Sequence, residues 1–156
     1  MTQKEKQLLL QDLCARLPYG VIVDYKENKF ETPHWKIKTI YPETLDGWIG
    51  YDEKVGAGSE SGSRHFEIGQ YRPYLRPMSS MTEEEREEWA DLFNLELDKL
   101  NEIDDENEAE ELAPYYFGKS HQVSIDWLNE HYFDYRGLIE LGLALEAPKG
   151  MYEIQN

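Results

Sequence analysis

Cysteine is almost missing from this chain: Cys14 is the only one in 156 residues. A single thiol excludes an intramolecular disulfide and any zinc site built from cysteines. Cys14 falls among Leu10, Leu13 and Leu17, where a free cysteine usually behaves as a small hydrophobe, so it is expected to be buried and unreactive. Long apolar runs are missing too. No segment approaches the roughly 20 apolar residues of a membrane span, and the N-terminal stretch has no apolar core of a signal peptide. A cytoplasmic location without a membrane partner is the expectation. The sequence also lacks the Gly-x-Gly-x-x-Gly, P-loop, His-Glu-x-x-His and Gly-x-Ser-x-Gly signatures. Its glycines at 56, 58 and 62 are followed neither by a helix-forming segment nor by Lys-Ser/Thr, so they do not read as a phosphate cradle. No cofactor or metal is implied, and an enzyme is the second reading rather than the first.

Positive charge is scarce in the second half. The net charge is −16, yet residues 1–80 balance 11 basic against 11 acidic side chains, while 81–156 carry 5 against 21. Within 83–111 there are 15 acidic residues and only Arg86 and Lys99 against them. Such a field repels phosphate backbones, which disfavours direct nucleic-acid binding by the whole surface. The neutral half escapes that objection. Its Lys36, Lys38, Arg64, Arg72 and Arg76 form an alternative nucleic-acid-binding set. The charge boundary suggests two parts: 1–80, an N-terminal helix with a small sheet, and 81–156, an acidic helical part packed on the same core.

With 40% apolar residues, eleven tyrosines and four tryptophans, a chain of this length has material for a core without staples. Leu9, Leu10, Leu13 and Leu17 recur at helical spacing over 3–17, and Pro18-Tyr19-Gly20 stops that helix. The period then shortens. Val21–Val23, Trp35–Tyr41, Trp48–Tyr51 and Arg64–Ile68 read as strands, with a turn at Glu27-Asn28-Lys29. Residues 52–63, rich in Gly and Ser, read as a mobile loop open to proteolysis, and Tyr71–Pro77 as a stiff extended exit. The fold class is α+β: a small antiparallel sheet or barrel-like meander over about 20–75, an N-terminal helix and a C-terminal helical part.

Thr82 followed by Glu85 is a capping box opening a helix, with Trp89, Leu92, Phe93, Leu97 and Leu100 as its buried face. That helix is expected to end near 101–104. Asp104–Glu111 then reads as an acidic turn before a weak helix, Ala113-Pro114 as a break, Ser124 as the cap of a short helix, and Asp134 as the cap of another with Leu138, Ile139 and Leu141 inward.

Candidate sites follow from these placements. The four histidines at 34, 65, 121 and 131 share no i, i+4 spacing. His131 precedes Asp134 and Arg136, and an imidazole beside a carboxylate is a general-base pattern; the alternative is that His131 and Asp134 serve only a helix junction. Asp104–Glu108 lacks the glycine and ligand spacing of an EF-hand. Arg72 and Arg76 are candidates for an anionic partner, or for the chain's own acidic helix. Glu84, Glu87, Glu88 and Asp91 lie on the acidic helix and are candidates for a basic protein partner, a sharper form of which is mimicry of nucleic acid.

Three segments, LCARLPY at 13–19, PYLRPMSSMTEEE at 73–85 and FDYRGLIELGLALEAP at 133–148, together resemble a family of short uncharacterised proteins of gut bacterial genomes, many in phage-like or mobile-element settings. The resemblance covers about a quarter of the chain. It implies a bacterial or prophage origin and supplies no catalytic residue or substrate. The reading that results is a non-enzymatic interaction or regulatory protein using an acidic helical surface.

Overall fold

Thr2 and Glu5 cap the first helix through contacts within its own first turn. The Thr2 hydroxyl accepts from the Glu5 N–H at 3.2 Å while the Glu5 carboxylate takes the Thr2 N–H, a second capping box of the kind read at Thr82. In the computed structural model, which describes residues 1–25, 35–44, 47–54 and 65–152, this helix is α1, Gln3–Arg16. It ends in a short 3-10 turn over Leu17–Tyr19, and Gly20 closes that turn at φ 75°. A side chain at Gly20 would be strained by that φ and would collide with the Lys36 stem.

The protein is α+β. Its strands are β1 Ile22–Tyr25, β2 Trp35–Thr44, β3 Gly47–Lys54, β4 His65–Glu67, β5 Tyr71–Leu75 and β6 Leu145–Glu146, in the order β4-β3-β2-β1-β5-β6. The first five pair antiparallel. The expected antiparallel sheet over about 20–75 is therefore in place, and β6, from outside that range, adds a parallel pairing to β5. A parallel return needs a long crossover, and the chain supplies one between Leu75 and Leu145. Among the described residues the strands make an open row ending at β4 and β6; a barrel would need those ends paired.

Several boundaries differ from the sequence reading. Asp52, Glu53 and Lys54 pair with Ile37, Lys36 and Trp35, so the expected loop loses its first residues to β3. Its remainder, the turn at Glu27–Lys29, His34 and Arg64 lie outside the described residues. Tyr71–Leu75 is a sheet strand rather than an exit, with Pro73 opposite Val23. It tolerates the proline because the β6 pairing begins only at Tyr74, so the missing N–H removes no bond from that ladder. In β2 the register shifts between Ile37 and Thr39. That extra residue changes the alternation and lets Ile37 and Ile40, three apart, both meet the core.

Contacts divide the chain into two compact units, Met1–Pro77 with Tyr132–Asn156 and Met78–His131. The segment after 131, read from sequence with the acidic helices, therefore groups with the sheet. In that unit Leu9 and Leu13 of α1 pack with Val21, Val23, Ile37, Tyr71, Leu75, Leu138 and Leu143 in one core. Each buried leucine there contributes roughly 1.5–3 kcal/mol relative to exposure. The same face of α1 buries Asp12 and Arg16. Cys14 points away from that face and is exposed, which corrects the expectation of a buried thiol. Partial desolvation pushes its pKa up, so little thiolate forms at neutral pH. Iodoacetamide is expected to label Cys14 fully in the native state, faster as the pH rises; protection lasting until denaturation would contradict this placement.

The C-terminal segment is sewn along β5. The Arg76 N–H donates to the Tyr132 carbonyl at 2.8 Å, the Asp134 N–H to the Arg76 carbonyl at 2.7 Å, and the Ala147 N–H to the Leu75 carbonyl at 2.8 Å. Residues 134–144 form successive turns, not the expected helix; Leu138 is buried but Leu141 is 52% exposed. Tyr132 adopts φ 61° and stacks on Tyr152 with ring centroids 3.6 Å apart.

The Tyr152 hydroxyl accepts the Ile22 N–H at 3.0 Å and donates to the Tyr74 carbonyl at 2.8 Å. It thus bridges β1 and β5 one residue beyond their last paired position, Val23 opposite Pro73. Burial pushes the phenol pKa up, keeping the proton it donates. Tyr152→Phe keeps the stacked ring but orphans the Ile22 N–H, and is expected to cost about 1–3 kcal/mol in urea denaturation. An unchanged midpoint would remove the bridge from the account.

The second unit is a helical hairpin of α2, Glu83–Asn101, and α3, Glu106–Glu130. Trp89 meets Ser124, Phe93 meets Ser120 and Glu96 meets Lys119, so the helices run antiparallel. α3 corrects three expectations. Asp105 caps its start, accepting from Asn107 and Glu108 N–H groups at 2.9 and 3.1 Å, so the helix already begins at Glu106, within the stretch read as a turn. Pro114 lies inside it; it is exposed, as is Glu110, whose carbonyl it leaves without a helical donor on the solvent side. Ser124 is a buried interior residue and caps nothing.

Candidate functional site

α2 sorts its side chains onto two faces. Its box is closed by the Glu85 N–H donating to the Thr82 hydroxyl at 3.2 Å and the Thr82 N–H donating to the Glu85 carboxylate at 2.9 Å. Glu83, Glu84 and Glu85 then sit beside the positive end of the helix dipole. Turned to α3 are Trp89, Leu92, Phe93, Glu96, Leu97 and Leu100. The expected apolar stripe is therefore in place, but its members are half-buried, and Glu96 is the one buried residue of the helix. Within the hairpin each helix has a single neighbour, which covers only part of a stripe that wide.

Glu96 survives there because cations reach it from both helices. Lys99 Nζ lies 2.7 Å from Oε1 and Lys119 Nζ 3.3 Å from Oε2. The Lys99 hydrogen bond is the main cause of a carboxyl pKa held below the ordinary value, and Lys119 adds to it. Arg86 is engaged as well, 2.5 Å from Glu83.

On the opposite side Glu84, Glu87, Glu88 and Asp91 are exposed and recur every three or four residues along one face. With Leu92 and Leu95 they line an open groove of about 430 Å³. The four acidic residues singled out from sequence are thus brought together. Leu95, 55% exposed, was missed. Its signal was an apolar residue falling outside the helical stripe, four positions after Asp91.

The other candidates are committed elsewhere. Both Asp134 carboxylate oxygens accept backbone N–H groups, from Leu138 and Ile139, each at 2.8 Å. His131 ends α3, stacks on Trp127 at 3.9 Å and has Nδ1 2.9 Å from the Trp127 carbonyl. Arg136 faces Asp12 at 3.3 Å. Arg76 lies over the Phe133 ring at 4.2 Å, and Arg72 is 4.0 Å from Asp24. Lys36 is exposed; the Lys38 side chain lies outside what is described.

Among the described residues no group of three or more His, Cys, Asp or Glu is placed to hold a metal ion. No described helix is long and apolar enough to cross a membrane. No family model, curated protein or solved structure matches the chain.

Proposed function

We propose that the chain is a non-enzymatic interaction protein of bacterial or prophage origin that binds a basic protein through the outward face of α2. One observation carries the reading: Glu84, Glu87, Glu88 and Asp91 crowd one exposed face, while Arg86 answers Glu83 and Lys99 and Lys119 answer Glu96. Glu84/Glu88 and Glu87/Asp91 are i, i+4 pairs of like charge, each costing a few tenths of a kcal/mol. Interspersed lysines would relieve that repulsion within the chain; a basic partner relieves it on binding. Exposed carboxylates also steer a cationic surface during encounter, more strongly at low salt.

The test is capture from a bacterial lysate by the tagged chain at low and at high salt. A basic protein held at low salt is expected to leave at high salt. It is also expected to be lost from a variant carrying Glu84→Gln, Glu87→Gln, Glu88→Gln and Asp91→Asn. If the neutralised variant captures the same proteins, the face is merely solvated and the reading fails.

A further inference from the structure

The acidic row along α2 runs on into two leucines that line the same groove. Leu95 leaves more than half its surface in water, 55%, and lies four residues beyond Asp91 and seven beyond Glu88 on the outward face. Leu92, half-buried, stands at the boundary between that face and the stripe turned to α3. Carboxylates alone would suit any cation. The leucines ask for something that also carries apolar surface, since covering them removes that surface from water.

Charge decides among possible occupants. A second copy seated on the same face would set carboxylate against carboxylate. Nucleic acid or an anionic bilayer would set phosphate against it. What remains is a partner with positive charge flanking an apolar ridge. A helix provides both on one side, because residues three and four apart lie along one face. The acidic row has the same spacing, at positions 84, 87, 88 and 91. Helices cover each other's faces side by side at 8–10 Å, as α3 already covers the other side of α2. An extended segment, with same-face residues nearly 7 Å apart, falls out of step with that row.

We propose that the partner of α2 is a basic amphipathic helix lying along residues 84–95. Its apolar ridge seats on Leu92 and Leu95, and its lysines or arginines meet Glu84, Glu87, Glu88 and Asp91. The inference rests on the charge-based reading above and deepens it by naming the form of the partner.

The probe is a fluorescent synthetic helix of leucine and lysine, with leucines at i, i+3, i+4 and i+7, titrated with the full chain by anisotropy. Its control is a peptide of the same composition scrambled so that no leucine face forms. Binding to the unaltered chain is expected to be at least about tenfold tighter for the patterned peptide. Leu95→Gln, which keeps helix propensity and charge, is expected to weaken that binding about tenfold or more, and Leu95→Met to restore it. Circular dichroism of each variant verifies the fold. Equal affinity of both peptides, or an unchanged affinity for Leu95→Gln, overturns the helix proposal while leaving the charge reading standing. Unchanged, salt-sensitive binding by the variant neutralised at 84, 87, 88 and 91 overturns the charge reading itself. Failure of the unaltered chain to bind the patterned peptide overturns the proposal outright.

Discussion

Replacing Asp12 by alanine is expected to destabilise the sheet-bearing unit by about 3–5 kcal/mol. Asp12 and Arg16 are both fully buried, one turn apart on α1. The guanidinium makes a two-pronged contact, Nε to Oδ2 at 2.8 Å and Nη2 to Oδ1 at 3.0 Å, and Nη2 also donates to the Phe133 carbonyl at 2.7 Å. Arg136 Nε approaches the same carboxylate at 3.3 Å, and the Tyr135 ring lies 5.5 Å from Arg16 and 5.0 Å from Arg136. Removing the carboxylate leaves a desolvated cation with a second one beside it. The cost comes from that uncompensated charge rather than from the worth of the pair. The double replacement Asp12→Leu with Arg16→Met is therefore expected to recover much of the loss. It would still leave the Phe133 carbonyl without its arginine donor. Urea denaturation of the single and double variants measures both. A single-variant cost below about 1 kcal/mol would contradict the placement of the pair.

Phe133→Ala is expected to cost about 3–5 kcal/mol, the range for a buried aromatic truncated to alanine. Phe133 is fully buried, forms a parallel bridge with Arg76 and carries the Arg76 guanidinium over its ring at 4.2 Å. It fastens the returning chain to β5 on one side and to Arg16 on the other. Leu97→Ala in α2, where the stripe is only half-buried, should cost clearly less. Thermal denaturation of the two variants side by side gives the comparison, and the reverse order would mean that the hairpin rather than the sheet holds the deeper core.

The elements legible in the sequence were those specified by near neighbours. Thr82 with Glu85, the leucines of α1, and the β-branched and aromatic runs of β1 to β4 announce themselves locally. What was hidden depends on distant residues. Asp12 and Arg16 look like an ordinary surface i, i+4 pair until Phe133 and Arg136, more than a hundred residues on, enclose them. β6 is two residues long and exists only because β5 offers it a partner. Pro114 and the acidic run before it are local break signals, overridden by the Asp105 cap and by packing of Ser120 and Ser124 against α2. At the candidate site the carboxylates were readable because helical spacing puts them on one face. Leu95 was not singled out, since one apolar residue off the stripe carries no meaning until its exposure is known.

Amide chemical-shift mapping by NMR tests the central claim most directly. The labelled chain is titrated at low salt with the basic partner it captures. The account predicts shifts concentrated over residues 84–95, vanishing at high salt and in the variant neutralised at 84, 87, 88 and 91. Shifts centred instead on Lys36, Arg72 and Arg76, or around His131 and Asp134, with α2 silent, would contradict it.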